Sequence, residues 1–147
     1  MAFELHSRLA NDTYYLGDFP LCALLLSKDA NYPWYILVPK QSNITEAFQL
    51  AALDQQQLQY ESLHLSQALS NAFNADKMNI AALGNVVPQL HLHHIVRYKT
   101  DPTWPQPIWG NAEPQPYNDI TLRERIEKTS QLLSNSDFKA CITQHDL

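Results

Sequence analysis

Apolar residues in the first third of the chain come in two dense runs, Cys22-Ala23-Leu24-Leu25-Leu26-Ser27 and Trp34-Tyr35-Ile36-Leu37-Val38-Pro39. The segment between them, Lys28-Asp29-Ala30-Asn31-Tyr32-Pro33, is rich in turn formers, which predicts a hairpin. A shorter strand over Asp12–Asp18, closed by a turn at Gly17-Asp18, is expected before it. Unbroken apolarity implies burial on both faces, with a helix on one side and a subunit partner or a ligand on the other. The spacing then becomes helical. Leu58, Leu65, Leu69, Ala72 and Phe73 make one stripe, predicting a helix from a cap at Asp54, with Gln57 three residues on, to about Phe73. Glu61, Gln67 and Asn71 fall on its polar side, and His64 sits at the stripe boundary as a solvated or core-edge residue.

Beyond the helix, Lys77–Leu83 reads as a strand leading to Gly84, and Pro88 opens another that runs to Arg97. Asp101–Gly110 packs three prolines and two tryptophans into ten residues, a stiff, irregular loop. Its aromatics either clamp the loop onto the domain or cover a pocket or partner. A last helix is expected from Asp119 or Thr121 through Leu122, Ile126 and Leu133, with Arg123, Glu124, Glu127 and Lys128 outward. The final residues, His145 among them, carry no usable pattern. Short strands, one long helix and a C-terminal helix define an α+β domain.

Composition narrows the picture. A chain of 147 residues fits one domain over 1–147, with a core at about 12–110 and a C-terminal loop and helix over 111–147. It is 45% hydrophobic and 17% charged, the balance of a folded globule. The net charge of −5 and the lack of a basic run argue against a nucleic-acid polymer as partner, but a small phosphate ester stays in play. Cys22 and Cys141 stand far apart, so neither a structural disulfide nor a zinc knuckle is expected. With no secretion signal and no apolar stretch long enough to span a bilayer, the expectation is a cytoplasmic protein without a membrane partner.

The chemistry concentrates in Gln89-Leu90-His91-Leu92-His93-His94-Ile95-Val96-Arg97. On a strand, Gln89, His91 and His93 share one face, while Leu90, Leu92 and His94 lie behind. Imidazole serves as nucleophile, acid, base or metal ligand near neutral pH. The plain alternative is a half-buried strand whose polar face meets solvent. Two histidines beside a glutamine favour a site. A metal is not expected, because no carboxylate or cysteine stands at motif spacing to complete a shell.

Gly84 through Arg97 resembles the signature of the histidine triad (HIT) superfamily of nucleotidyl hydrolases and transferases: a glycine-polar turn, His-φ-His-φ-His with φ apolar, and a closing arginine. Gly84 and Arg97 anchor the register and put the three triad positions on Gln89, His91 and His93. The run Trp34–Lys40 resembles the family's apolar strand ending in proline and a basic residue, and Asn79 resembles the asparagine placed near the phosphate. The Asp-Pro…Trp-Pro…Trp-Gly loop suggests a bacterial branch. The chain departs from the pattern at position one, which is Gln89 and not His, and at Asn85, where many members have glutamine. The ribose-binding acidic residue has only Asp29 as a nearby counterpart.

The resemblance implies a five-stranded antiparallel sheet, a homodimer and nucleotidyl transfer from an α-phosphate. His91 would attack phosphorus, its other ring nitrogen held by a backbone carbonyl, and His93 would donate to a phosphate oxygen. The amides of Gly84 and Asn85 would add donors. Gln89 would hydrogen-bond the bridging oxygen or leaving group without supplying a proton. Substrates would be dinucleoside polyphosphates or phosphoramidates. No cofactor is required, a divalent cation at most accompanying the substrate. The alternative is a module that binds nucleotides without turning them over.

Overall fold

The computed structural model describes residues 2–141. A six-residue helix, α1 (Ser7–Asp12), leads into three antiparallel strands, β1 (Thr13–Asp18), β2 (Cys22–Ser27) and β3 (Trp34–Pro39). The long helix α2 (Ala52–Phe73) follows, then β4 (Lys77–Ala81), β5 (Leu92–Arg97), α3 (Asp119–Leu132) and a two-residue strand β6 (Lys139–Ala140). The sheet order is β4-β5-β3-β2-β1-β6, with every pairing antiparallel. Five strands therefore form the expected sheet, and β6 extends it by a short sixth. Gly17 makes that addition feasible, because a Cβ there would come within 2.3 Å of the Lys139 carbonyl oxygen.

Period-two alternation sorts side chains between the two faces of the sheet. Cys22, Leu24, Leu26, Tyr35, Leu37 and Val96 pack with Leu58, Leu65 and Leu69 of α2 and Leu122 and Ile126 of α3. Ala23, Leu25, Ile36 and Val38 point the other way, against Leu9 and Val87, with Phe3, Leu5 and Trp34 alongside. The chain's own N-terminal segment covers part of that second face. In the sheet order β2 and β3 are interior strands.

Two expectations for α2 need correction. Its cap position is Ala51, with no side-chain cap bond, and Asp54 instead lies in the first turn and accepts from Gln41 Nε2 at 2.8 Å. A carboxylate there still favours the positive end of the helix dipole. Glu61 is buried, not solvent-facing. Its carboxylate accepts the amides of Leu21 and Cys22, both at 2.9 Å, and Gln57 Nε2 at 2.6 Å, which fastens α2 to the start of β2. Asn74, at φ 51°, ends the helix in the left-handed conformation. α3 starts after Asn118, whose side chain accepts the Thr121 amide, and the residues predicted outward on it are exposed. His145 lies outside the described residues.

Candidate active site

The second face of the sheet is not wholly covered. Between α1, the ends of β2 and β3, and the turn joining β4 to β5 lies a cleft of about 410 Å³. His91 and His93 stand on its wall with Trp34, Ile36, Gly84, Asn85 and Trp109. Gly84 takes φ 73°, a conformation side chains disfavour, and so brings the turn back along the cleft.

His91 lies just before β5, and its Nδ1 is 2.7 Å from the carbonyl oxygen of Gln89. A carbonyl can only accept, so Nδ1 carries a proton, and in the neutral ring the lone pair is on Nε2. His93, in β5 opposite Ile36, places Nδ1 3.0 Å from Trp34 Nε1. Its ring meets those of His91 and Trp109 edge-on, at centroid distances of 4.9 and 5.0 Å. Burial, and then the charges of His91 and His94, lower the His93 pKa to about 3, so this ring is neutral at physiological pH.

His94 points to the other face and is fully buried. Ser62 Oγ lies 2.7 Å from its Nε2 and the Leu92 carbonyl oxygen 3.0 Å from its Nδ1. Both nitrogens are used structurally. Burial outweighs the bond to Leu92 and lowers its pKa to about 4.

Gln89 and Asn79 are not on the cleft wall. Gln89 precedes the strand, and its amide is engaged elsewhere: Oε1 accepts from His6 N and Nε2 donates to Glu4 O, both at 2.9 Å. The first triad position thus clips the N-terminal segment in place. Asn79 Oδ1 accepts from Arg97 at 2.7 Å. Arg97, itself buried, also binds Asp101 through two nitrogens, Thr103 Oγ1 and the Gln106 carbonyl, and its guanidinium lies 5.6 Å from the Trp104 ring centroid. The burial of Asp101 raises its pKa, but bonds from Arg97 and from the Tyr98 and Thr103 amides outweigh that and hold it below the usual carboxylate range. Asn79 therefore supports the tryptophan loop. The loop's two tryptophans divide the roles foreseen for them: Trp104 clamps against Arg97, and Trp109 lines the cleft. Asp29 Oδ1 accepts the amides of Asn31 and Gln115, which pins the hairpin turn to the loop before α3.

Several cleft residues were not foreseen. Arg8, Leu9 and Asp12 come from α1, too short and too polar to show a helical stripe, and Thr13 and Ser27 come from strand ends. In the sequence Trp34 stands within an apolar run. Its parity with Ile36 was the available signal, since alternate residues of β3 share the cleft side.

Comparison with known proteins shows the family. The model of the HIT domain matches residues 8–100, and the chain belongs to that family. A histidine triad protein from Marinobacter aquaeolei VT8 is 50% identical, with a TM-score of 0.88 over 91% of this chain and 98% of the other. One from Bradyrhizobium japonicum is 44% identical, with a TM-score of 0.87 over 89% and 98%. One from Sinorhizobium meliloti 1021 is 39% identical, with a TM-score of 0.85 over 91% and 97%. No curated protein matches. Among the described residues, no helix is long and apolar enough to cross a membrane.

Proposed function

We propose that the protein is a nucleotidyl hydrolase or transferase that works through a nucleotidyl-histidine intermediate on His91. The supporting observation is the bond from His91 Nδ1 to the Gln89 carbonyl, which in the neutral ring puts the lone pair on Nε2, with His91 on the cleft wall. In the first step the Nε2 lone pair attacks the α-phosphorus, and the bond from phosphorus to the leaving group breaks, its electron pair going with that group. The phosphorylated ring is cationic, and the Gln89 carbonyl on Nδ1–H stabilises it. In the second step water, or another acceptor, attacks phosphorus and the P–N bond breaks. The electron pair returns to Nε2 and the water proton passes to solvent. His93 and the backbone of Gly84 and Asn85 supply hydrogen bonds to phosphoryl oxygens as charge develops. The apolar side chains of Leu9, Ile36, Leu83 and Val87 suit a base, and a nucleotide is of the size the cleft takes.

The test is incubation with a diadenosine polyphosphate and with an adenosine phosphoramidate, followed by chromatography for AMP. Wild type should release AMP, and His91→Ala should lose roughly three orders of magnitude or more in turnover without unfolding. Tight AMP binding with no release from either substrate would instead make the protein a nucleotide-binding module.

The second part of the reading is a homodimer. Strand β4 is an edge of the sheet with Ile80 exposed, and α2 exposes Leu53, Tyr60 and Leu63. His64 Nε2, in a ring stacked on Tyr60, is buried without a hydrogen-bond partner. An open strand edge beside apolar side chains is an invitation to pair with a second copy. Light scattering should give twice the 16.8 kDa of the chain, and a monomer would refute the dimer.

A further inference from the structure

The bond between Trp34 and His93 has a direction that chemistry settles. An indole N–H donates and cannot accept. At 3.0 Å from Trp34 Nε1, His93 Nδ1 must therefore be the acceptor, carrying a lone pair and no proton. The ring's single proton is then on Nε2. We propose that Trp34 is a positioning residue that locks His93 in the Nε2–H tautomer, so that His93 lends a hydrogen bond to the substrate's phosphoryl group and never delivers a proton to the leaving group. This rests on the nucleotidyl-transfer reading for its consequence, but not for the tautomer itself.

The surroundings support the lock. An imidazolium would have to break the Trp34 bond, because a protonated Nδ1 has nothing to offer the indole. Among the described residues, no anion in contact with His93 compensates such a charge. His91 and Trp109 meet it edge-on, and His94 lies behind on the same strand. The charged side chains on the cleft wall are Arg8 and Asp12, whose closest atoms are 3.7 Å apart in an ion pair with each other. The low pKa of His93 points the same way. Neighbouring histidines are thus held in opposite tautomers: His91 by a carbonyl that can only accept, His93 by an indole that can only donate. One presents a nucleophile and the other a donor. The reaction so equipped favours leaving groups that depart as stable anions, such as nucleoside phosphates, over amines that need a proton.

Histidine-detected nitrogen-15 NMR of the free protein decides the tautomer. Between about pH 8 and pH 5, His93 should show an unprotonated Nδ1, a protonated Nε2 and no titration. A protonated Nδ1, or titration near the ordinary value of about 6.5, would overturn the proposal. Trp34→Phe keeps the ring and removes the donor. Its His93 should lose the single tautomer, with kcat falling about tenfold and KM changing less. An unchanged His93 spectrum in that variant would also overturn it. If Trp34→Phe does not fold, the wild-type spectrum still decides. Failure of the hydrolysis assay with the tautomer intact would fault the function and not the lock.

Discussion

His93 and His94 are adjacent in the chain and opposite in fate. His94 faces the helices, wholly buried, with Ser62 on one nitrogen and the Leu92 carbonyl on the other. His93 faces the cleft, with Trp34 on one nitrogen and, among the described residues, no partner on the other. Both are dehydrated enough to stay neutral, with pKa values lowered to about 4 and about 3. Low pKa therefore does not separate the structural histidine from the chemical one. What separates them is the count of nitrogens the fold has already used. A ring satisfied twice is part of the core; a ring satisfied once, on a cleft wall, has chemistry left to do.

Exchanging the two is the strongest attack on that distinction. His93→Ala should lower kcat about 100- to 1000-fold, the usual cost of removing one donor aimed at developing charge, with little change in thermal stability. His94→Ala should do the reverse: it leaves Ser62 and a packed cavity unsatisfied, lowering stability by about 2–4 kcal/mol while sparing the turnover of molecules that remain folded. Activity loss in the second variant without destabilisation would abolish the contrast.

Acid provides a second probe. The unfolded chain protonates both histidines near the ordinary pKa of about 6.5, whereas the folded chain resists until about 4 for His94 and about 3 for His93. Folded pKa values below the unfolded one mean the unfolded state takes up protons first. Stability is then full above about pH 6.5 and declines as pH falls toward 4, by about 3 kcal/mol for His94 alone. Denaturant melts at a series of pH values should show this slope, and His94→Ala should flatten it. A wild type equally stable at pH 7 and pH 5 would contradict the buried neutral rings.

Ser62→Ala is a gentler test of the same face. Because His94 Nδ1–H donates to the Leu92 carbonyl, Nε2 needs the Ser62 hydroxyl as donor. Losing it should cost about 1–3 kcal/mol in a melt and leave kcat/KM unchanged. A silent substitution would mean the ring finds another partner.

How much of this was legible in the sequence depends on the range of the interaction. The strands and α2 announce themselves by period, since two-residue and 3.6-residue repeats are local. The pair His91 and His93 was legible because alternate residues share a face. Glu61 was not, because its partners are amides 40 and 39 residues away, at Leu21 and Cys22, and a charged residue with no visible partner is placed outward. Trp34 hid its indole N–H inside an apolar run. Gln89 was misplaced by extending strand alternation too far. The strand begins at Leu92, and the His91 side chain bonds back to the Gln89 carbonyl across a bend. α1 was missed outright, six residues being too few to display a stripe.

Gln89 gives the smallest expected effect and the sharpest revision. Its triad position suggests a hydrogen-bonding residue that supplies no proton, so that a histidine there would speed mainly amine leaving groups. Its bonds say otherwise: both amide ends hold the main chain at Glu4 and His6, just ahead of the helix that brings Arg8, Leu9 and Asp12 to the cleft. Gln89→Ala removes two neutral hydrogen bonds, each worth about 1 kcal/mol, and loosens that segment. The expected result is a rise in KM of about tenfold at most, the same for polyphosphate and phosphoramidate substrates, with kcat nearly unchanged. Gln89→His should lose the clip as well, so a selective gain for the phosphoramidate is not expected. Measuring kcat and KM for both substrate types in both variants decides it. A phosphoramidate rate that rises in Gln89→His while the polyphosphate rate stays put would return Gln89 to the leaving-group side of the reaction and make the N-terminal clip incidental.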